Sequence, residues 1–331
     1  MKSLDKKLKL INAGKYKPEH FILADAKDPD MAFGAAANGP VDALQPAGTG
    51  PYRSRPAFRQ SIRDIIKQGE MDIMLASASN IETLARDGVF KKSAVTPAIR
   101  ANDTTDIWLP RGSSYSKEPS RPFRTANLTH VAEFCDLGLY SITFNNVLDR
   151  DYASIEAYAS FREDAVKHKF RHFLEVFNPN APQGLSPEVI PAFVNDSIIR
   201  VLAGVTRAER PGFLKMAFNG ARAMDELASH DPSLVIGILG GSSGTTRDTF
   251  ELLTQAERSG ARVALFGRKI NLAESPLDLV ALFRPVLERR VKPEEAVKSY
   301  HAALAKQKIR AKRSLADDQA ITEAVLEGYR K

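Results

Sequence analysis

The chain has 331 residues, 43% of them hydrophobic and 26% charged, an ordinary globular composition with enough apolar material for a large core. A net charge of +7 arises from 47 basic residues scattered among 40 acidic ones, with a concentrated run only at Lys306 to Arg313. No aromatic side chain lies inside that run to stack on bases, so it reads as a solvated helix face and a nucleic-acid partner is not expected. Cys135 is the single cysteine, which excludes an internal disulfide. No apolar stretch reaches membrane-spanning length, and Met1 to Leu10 carries charges where a signal peptide needs an apolar segment. A cytoplasmic chain without membrane contact is expected.

In chain order, the first strand-length apolar run is Phe21 to Asp25. Asp25, in Leu23-Ala-Asp-Ala-Lys-Asp28, is placed to relay a proton or bind a substrate hydroxyl, or simply to cap a turn. Met31 to Arg59 follows, rich in Gly, Pro and Ala, and has the composition of a lid. The second run is Met71 to Ser77, and the third, Ala94 to Arg100, leads into Asn102 and Asp103. The segment Thr104 to Thr129 holds Trp108, Arg111, Tyr115, Arg121 and Arg124 among prolines and serines, unlike a plain connector, and is expected to contact substrate or a neighbouring subunit. Leu139 to Asn145 is the fourth run, ending in Asn145 and Asn146, and a helical pattern spans Asp151 to Lys169.

The fifth run, Phe170 to Phe177, belongs to the stretch Glu175-Val-Phe-Asn-Pro-Asn180, which offers Glu175 and Asn178 as polar groups. Nearby His168 and His172 share helical i, i+4 spacing, but they precede the strand end, so they read as surface structure and no metal site is expected. Gly212 to Asn219 is the sixth run, Leu234 to Gly240 the seventh and Arg262 to Gly267 the eighth. A helix over Thr245 to Ser259 with Gly260 as its C-cap separates the last two. Two further helical segments fill Lys292 to Arg330.

Eight β-then-α units imply a closed (β/α)₈ barrel, with a doubly wound open sheet as the alternative because strand counting does not show closure. The whole chain reads as one barrel domain, its core over residues 20–290, with a long insert after strand three and a helical extension over 292–330. That extension and the exposed helices make a homo-oligomer the expectation.

Lys215 stands in the otherwise apolar Gly212-Phe-Leu-Lys-Met-Ala-Phe-Asn-Gly220. Strand alternation turns Phe213, Lys215, Ala217 and Asn219 to one face, and a barrel would take that face inward. A desolvated lysine is a reactive amine suited to Schiff-base formation; equally, it is a structural cation paired with Glu175 on the adjacent strand. The choice turns on the last two strand ends. Gly240-Gly-Ser-Ser-Gly244 lacks the Lys-Ser/Thr of a P-loop and the spacing of a dinucleotide fingerprint. With Gly267-Arg268 at the next strand end it forms the pair of turns where barrels bind phosphate, and Arg100 and Asn145 lie at the same level.

In this order, the strand-six lysine, the Gly-Gly-Ser-Ser-Gly turn and the strand-eight Phe-Gly-Arg-Lys-Ile270 resemble the class I aldolases of the bacterial and archaeal fructose-bisphosphate aldolase, deoxyribose-phosphate aldolase and tagatose-bisphosphate aldolase superfamily. The resemblance implies Lys215 as the Schiff-base lysine, Gly240, Gly241, Ser242, Ser243, Gly267 and Arg268 as the phosphate site, and Asp25 as the strand-one aspartate. It also meets a departure. Where some relatives carry a catalytic tyrosine before a proline at the end of strand five, this chain has Asn178 before Pro179, so Glu175, Asp25 or a water must move the proton.

The function expected is a metal-independent, cofactor-free class I aldolase acting on a phosphorylated ketose or related sugar phosphate. The alternatives are a non-covalent sugar-phosphate isomerase or epimerase, and a barrel that binds a phosphorylated ligand without turnover.

Overall fold

The computed structural model describes residues 1–46, 48–240 and 244–327. Its core is a closed parallel barrel of eight strands: β1 (Ile22–Lys27), β2 (Ile73–Ala76), β3 (Thr96–Arg100), β4 (Leu137–Thr143), β5 (Arg171–Phe177), β6 (Leu214–Met216), β7 (Gly237–Leu239) and β8 (Val263–Phe266). Each strand pairs with its sequence neighbours, and β8 closes on β1 through Ile22↔Val263 and Asp25↔Phe266. This is the (β/α)₈ barrel, and the open sheet is excluded. All eight strands fall where the apolar runs place them, because strands covered on both faces are continuous hydrophobic runs.

Side chains alternate between two buried clusters. Ile22, Ala24, Ile73, Leu75, Ala98, Leu139, Phe173, Phe213, Val263 and Leu265 fill the barrel interior, while Leu23, Met74, Ile99, Tyr140, Leu174, Leu214, Ile238 and Phe266 face the helices. Phe173 and Phe213 stack inside the barrel with centroids 4.4 Å apart. Gly237 marks the tightest interior point, since a Cβ there would lie 2.3 Å from the Leu214 carbonyl oxygen. The amino-terminal helix Ser3–Asn12 adds Leu4, Leu8 and Ile11 to the interior cluster, alongside residues at the strand starts. It therefore closes the amino-terminal end of the barrel and leaves the opposite mouth for chemistry.

The chain departs from the minimal barrel at three places. After β1, a short helix Asp30–Phe33 and a turn Gly34–Asn38 lead to Arg53, whose guanidinium holds the Asn271 side chain at 2.6 Å. After β3, Asp103–Thr104 pairs antiparallel with Pro122–Phe123, and Trp108 stacks on Tyr115 at 5.4 Å. The carboxyl-terminal helix Pro293–Lys306 and the turns beyond it pack on the helix Thr246–Arg258, where Asp248 accepts from Thr322 and Gln255 donates to the Leu326 carbonyl. Among the described residues, no helix is long and apolar enough to cross a membrane.

Candidate active site

The upper interior of the barrel turns polar because three neighbouring strands exchange an apolar inward residue for a functional one. Phe173 and Phe213 are followed two positions later by Glu175 and Lys215, and Leu139 by Ser141. Register sets Glu175 directly beside both Ser141 and Lys215. Lys215 Nζ lies 2.5 Å from Glu175 Oε1, and the Ser141 hydroxyl donates to Glu175 Oε2 at 2.7 Å. Both members of the ion pair are buried, with Lys215 at 6% exposure and Glu175 at 1%.

Arg100, at the end of β3, binds this cluster together. Its guanidinium reaches Asp28 at 2.5 Å, Ser141 Oγ at 2.9 Å, Glu175 Oε2 at 3.4 Å and Asp103 Oδ1 at 3.5 Å. Burial alone would depress the arginine, but the carboxylates of Asp28, Asp103 and Glu175 hold it charged, above its usual range. Burial would likewise raise Asp28; Arg100 and then Lys215 outweigh it and keep this carboxyl below its ordinary value. Burial pushes the Asp103 carboxyl up to about 6 against the opposing pull of Arg100. Asn102 locks β4 beside them, accepting from Ser141 N at 2.6 Å and donating to the Ser141 carbonyl at 2.9 Å.

A cavity of about 290 Å³ opens over this cluster, lined by Lys215, Glu175, Arg100 and Asp28 and, from the strand-seven and strand-eight turns, by Gly240, Gly267, Arg268 and Lys269. Gly240 and Gly267 are positions of close approach: an added Cβ would lie 2.5 Å from the Phe266 ring at the first and 2.7 Å from the Ala26 carbonyl oxygen at the second. Gly240 N–H is used by the sheet, bonding Leu265 O at 2.8 Å, so this glycine supplies room and no donor. Lys269 donates to the Gly244 carbonyl at 2.7 Å and so braces one turn against the other, while burial pushes its amine down to about 8. Gly241, Ser242 and Ser243, three of the phosphate-site expectations, lie outside the described residues.

The structure thus brings Lys215, Glu175, Arg100, Gly240, Gly267 and Arg268 to one cavity, and it leaves three expected residues outside its lining. Asp25 is the clearest correction. β1 runs on to Lys27, so Asp25 sits inside the strand and alternates outward with Leu23, opposite Ala24 and Ala26. There it pairs with Lys27 at 3.2 Å, and burial, only partly offset by that lysine, raises its carboxyl to about 6. Asp28, which the same alternation turns inward, is the strand-one carboxylate of the cavity. Asn145 accepts from Ala181 N and donates to Asn180, and Asn178 exchanges two hydrogen bonds with Asn219, so both asparagines tie loops rather than face the cavity.

Asp28, Ser141 and Lys269 are the additions, and all three were within reach of counting by twos along the strands or reading one residue past Gly267-Arg268. The histidine reading also needs correction, since His172 is buried in the outer layer, bonded to Tyr158 at 2.8 Å, with its imidazole pushed down to about 4 by burial. Of this pair it is His168 that is partly exposed, beside Asp164 at 3.4 Å. Cys135 is buried, and its thiol is pushed up to about 12, a packed and unreactive side chain. Among the described residues no group of histidine, cysteine or carboxylate side chains is arranged to hold a metal.

Known structures carry the same architecture. An archaeal fructose 1,6-bisphosphate aldolase aligns with a TM-score of 0.61 at 12% identity, covering 86% of this chain and 99% of its own. The fold is one these aldolases share. An archaeal fructose-1,6-bisphosphate aldolase with its catalytic lysine covalently bound to the carbinolamine intermediate aligns at 0.61 and 13% identity, over 86% and 99%. A structural-genomics target from Corynebacterium glutamicum aligns at 0.58 and 14%, over 87% and 98%. No protein-family model matches the sequence, and no curated protein matches it. At such identities the likeness is one of fold, and function has to be argued from the site.

Proposed function

We propose that the chain is a class I, metal-independent aldolase that cleaves or forms a carbon–carbon bond in a phosphorylated ketose or related sugar phosphate. The observation that carries this reading is Lys215 Nζ set 2.5 Å from Glu175 Oε1 on the wall of the cavity that the strand-seven and strand-eight turns also line. An amine so placed meets a carbonyl while the adjacent turns hold the substrate's phosphate.

In the cleavage direction Glu175 takes a proton from the Lys215 ammonium, and the free amine adds to the substrate ketone to give a carbinolamine. Loss of water leaves an iminium. A carboxylate removes the proton of the hydroxyl on the far side of the scissile bond; that bond breaks, its electrons pass to the iminium as an enamine, and an aldehyde leaves. Protonation of the enamine carbon and addition of water release the second product and restore Lys215. Asp28, kept ionised by Arg100 and Lys215, is the carboxylate suited to the hydroxyl proton, a role that Asn178 cannot fill. Arg100 is a positioning residue, fixing Asp28 and Glu175 relative to the lysine.

The test is borohydride treatment with dihydroxyacetone phosphate and ketose phosphates. Substrate-dependent inactivation supports the covalent reading. Turnover that survives reduction in the presence of substrate would replace it with the non-covalent isomerase.

A further inference from the structure

The cavity over Lys215 has two chemically different sides. Its cationic lining among the described residues consists of Arg100 and Lys215 in the polar cluster and Arg268 and Lys269 on the strand-eight turn. Ala32, Phe33, Ile107, Leu109 and Phe177 add an apolar wall, and Ala26, Leu239 and Leu265 of the barrel strands also line the cavity. Phe33, Ile107, Leu109 and Phe177 are half-buried, yet they join neither the interior cluster nor the outer one. Their apolar surface faces the cavity instead of the core. β3, which carries the insert with Ile107 and Leu109, lies across the ring from β7, while Ala32 and Phe33 follow β1 next to β8 and Phe177 ends β5, so the wall spans the β1, β3 and β5 part of the mouth.

The wall is built, not incidental. Leu109 N donates to the Ala32 carbonyl at 2.9 Å, which joins the insert after β3 to the segment after β1. Asp106 anchors the insert from beneath, accepting from Ser120 at 2.5 Å and from Thr143 of β4 at 3.0 Å. On its outer side, Trp108 packs on Tyr115 and Phe123, each at 5.4 Å between centroids. A charged group pressed against such a surface would lose hydration with no partner to replace it, whereas a methyl or methylene would gain from burial.

We infer that the substrate carries one phosphate, held by the strand-eight turn with Arg268 and Lys269 beside Gly240, and that its far end, beyond the carbon bonded to Lys215, is short, uncharged and largely apolar. The inference rests on the aldolase reading for which end of the ligand is the far one. It assigns a monophosphorylated ketose ending in a methyl or other uncharged group as the preferred substrate class, and it rejects a 1,ω-bisphosphate.

Calorimetric titration of the full chain with fructose 1-phosphate, its 6-deoxy analogue and fructose 1,6-bisphosphate tests this, with borohydride adduct formation followed in parallel. Affinity should fall in the order 6-deoxy, monophosphate, bisphosphate, with at least a tenfold gap between the first and last. Leu109→Lys should close that gap, and Leu109→Met should leave it unchanged. Bisphosphate binding as tight as the 6-deoxy ligand, or no measurable binding of the 6-deoxy ligand at millimolar concentration, overturns the inference. The adduct reads the aldolase mechanism separately: the expected affinity order without any adduct keeps the apolar-ended monophosphate as the ligand and removes the Schiff base.

Discussion

Among the described residues, two buried lysine–carboxylate pairs sit on this barrel, and one of them has access to a ligand. Lys215 and Glu175 meet at 2.5 Å across β6 and β5 on the inner face, on the wall of a 290 Å³ cavity. Lys27 and Asp25 meet at 3.2 Å within β1 on the outer face, sealed between barrel and helices at 1% and 0% exposure. Both lysines are buried, so burial does not choose between them. Facing decides between them, since a Schiff base needs a carbonyl to arrive. The carboxylates differ in the same sense: Asp25 is raised to about 6 by burial that a single lysine cannot offset, while Asp28, inside, is held low by Arg100 and Lys215.

Substitutions separate the two pairs, beginning with the largest effect. Lys215→Met is expected to abolish turnover with the circular dichroism spectrum near wild type and a smaller loss of stability than Lys27→Met, because Glu175 keeps Arg100 and Ser141 as partners; retained turnover would remove the lysine from the mechanism. Glu175→Gln should lower kcat by about 10²–10⁴-fold, as loss of a positioned proton acceptor does, in a steady-state assay. Lys27→Met should do the reverse, costing about 3–5 kcal/mol in denaturant unfolding because it strands a buried carboxylate, with adduct formation at Lys215 intact.

Acidity sharpens the contrast further. Because the folded-state value of Asp25 lies above its ordinary 3.8, its contribution to stability is full below that pH and is lost as pH rises through about 6. Wild type compared with Asp25→Asn should therefore lose on the order of 2 kcal/mol of relative stability across that window. Asp28, with its value lowered, should give the opposite slope against Asp28→Asn: its contribution is present above 3.8 and disappears on acidification. Urea titrations of the three proteins from pH 2 to 8 read both signs, the Asp28 slope below 3.8 and the Asp25 slope towards about 6, and parallel slopes would contradict the inner and outer assignment.

The barrel was legible in the sequence because each of its strands is covered on both faces and so appears as an unbroken apolar run, and Lys215 was legible because it interrupts one. Glu175 followed from adjacency of strands five and six. Asp25 misled for a local reason: a strand thought to end there continues to Lys27, and that extension turns the next inward position into Asp28. No strand pattern reveals the plug made by Leu4, Leu8 and Ile11, because a ten-residue helix rich in lysine looks like a surface element until the open barrel end beneath it is known. Likewise, Phe33 and Leu109 lie far apart in sequence, and only the Leu109–Ala32 backbone bond shows that their segments form one wall.

Peptide mapping of the borohydride-reduced adduct tests the central claim most directly, using dihydroxyacetone phosphate or fructose 1-phosphate as the carbonyl and intact mass to establish stoichiometry. One adduct per chain on the peptide containing Lys215, absent from Lys215→Met and present in Lys27→Met, is the predicted result. An adduct on Lys27 or on a surface lysine, with Lys215 unmodified, would contradict the account.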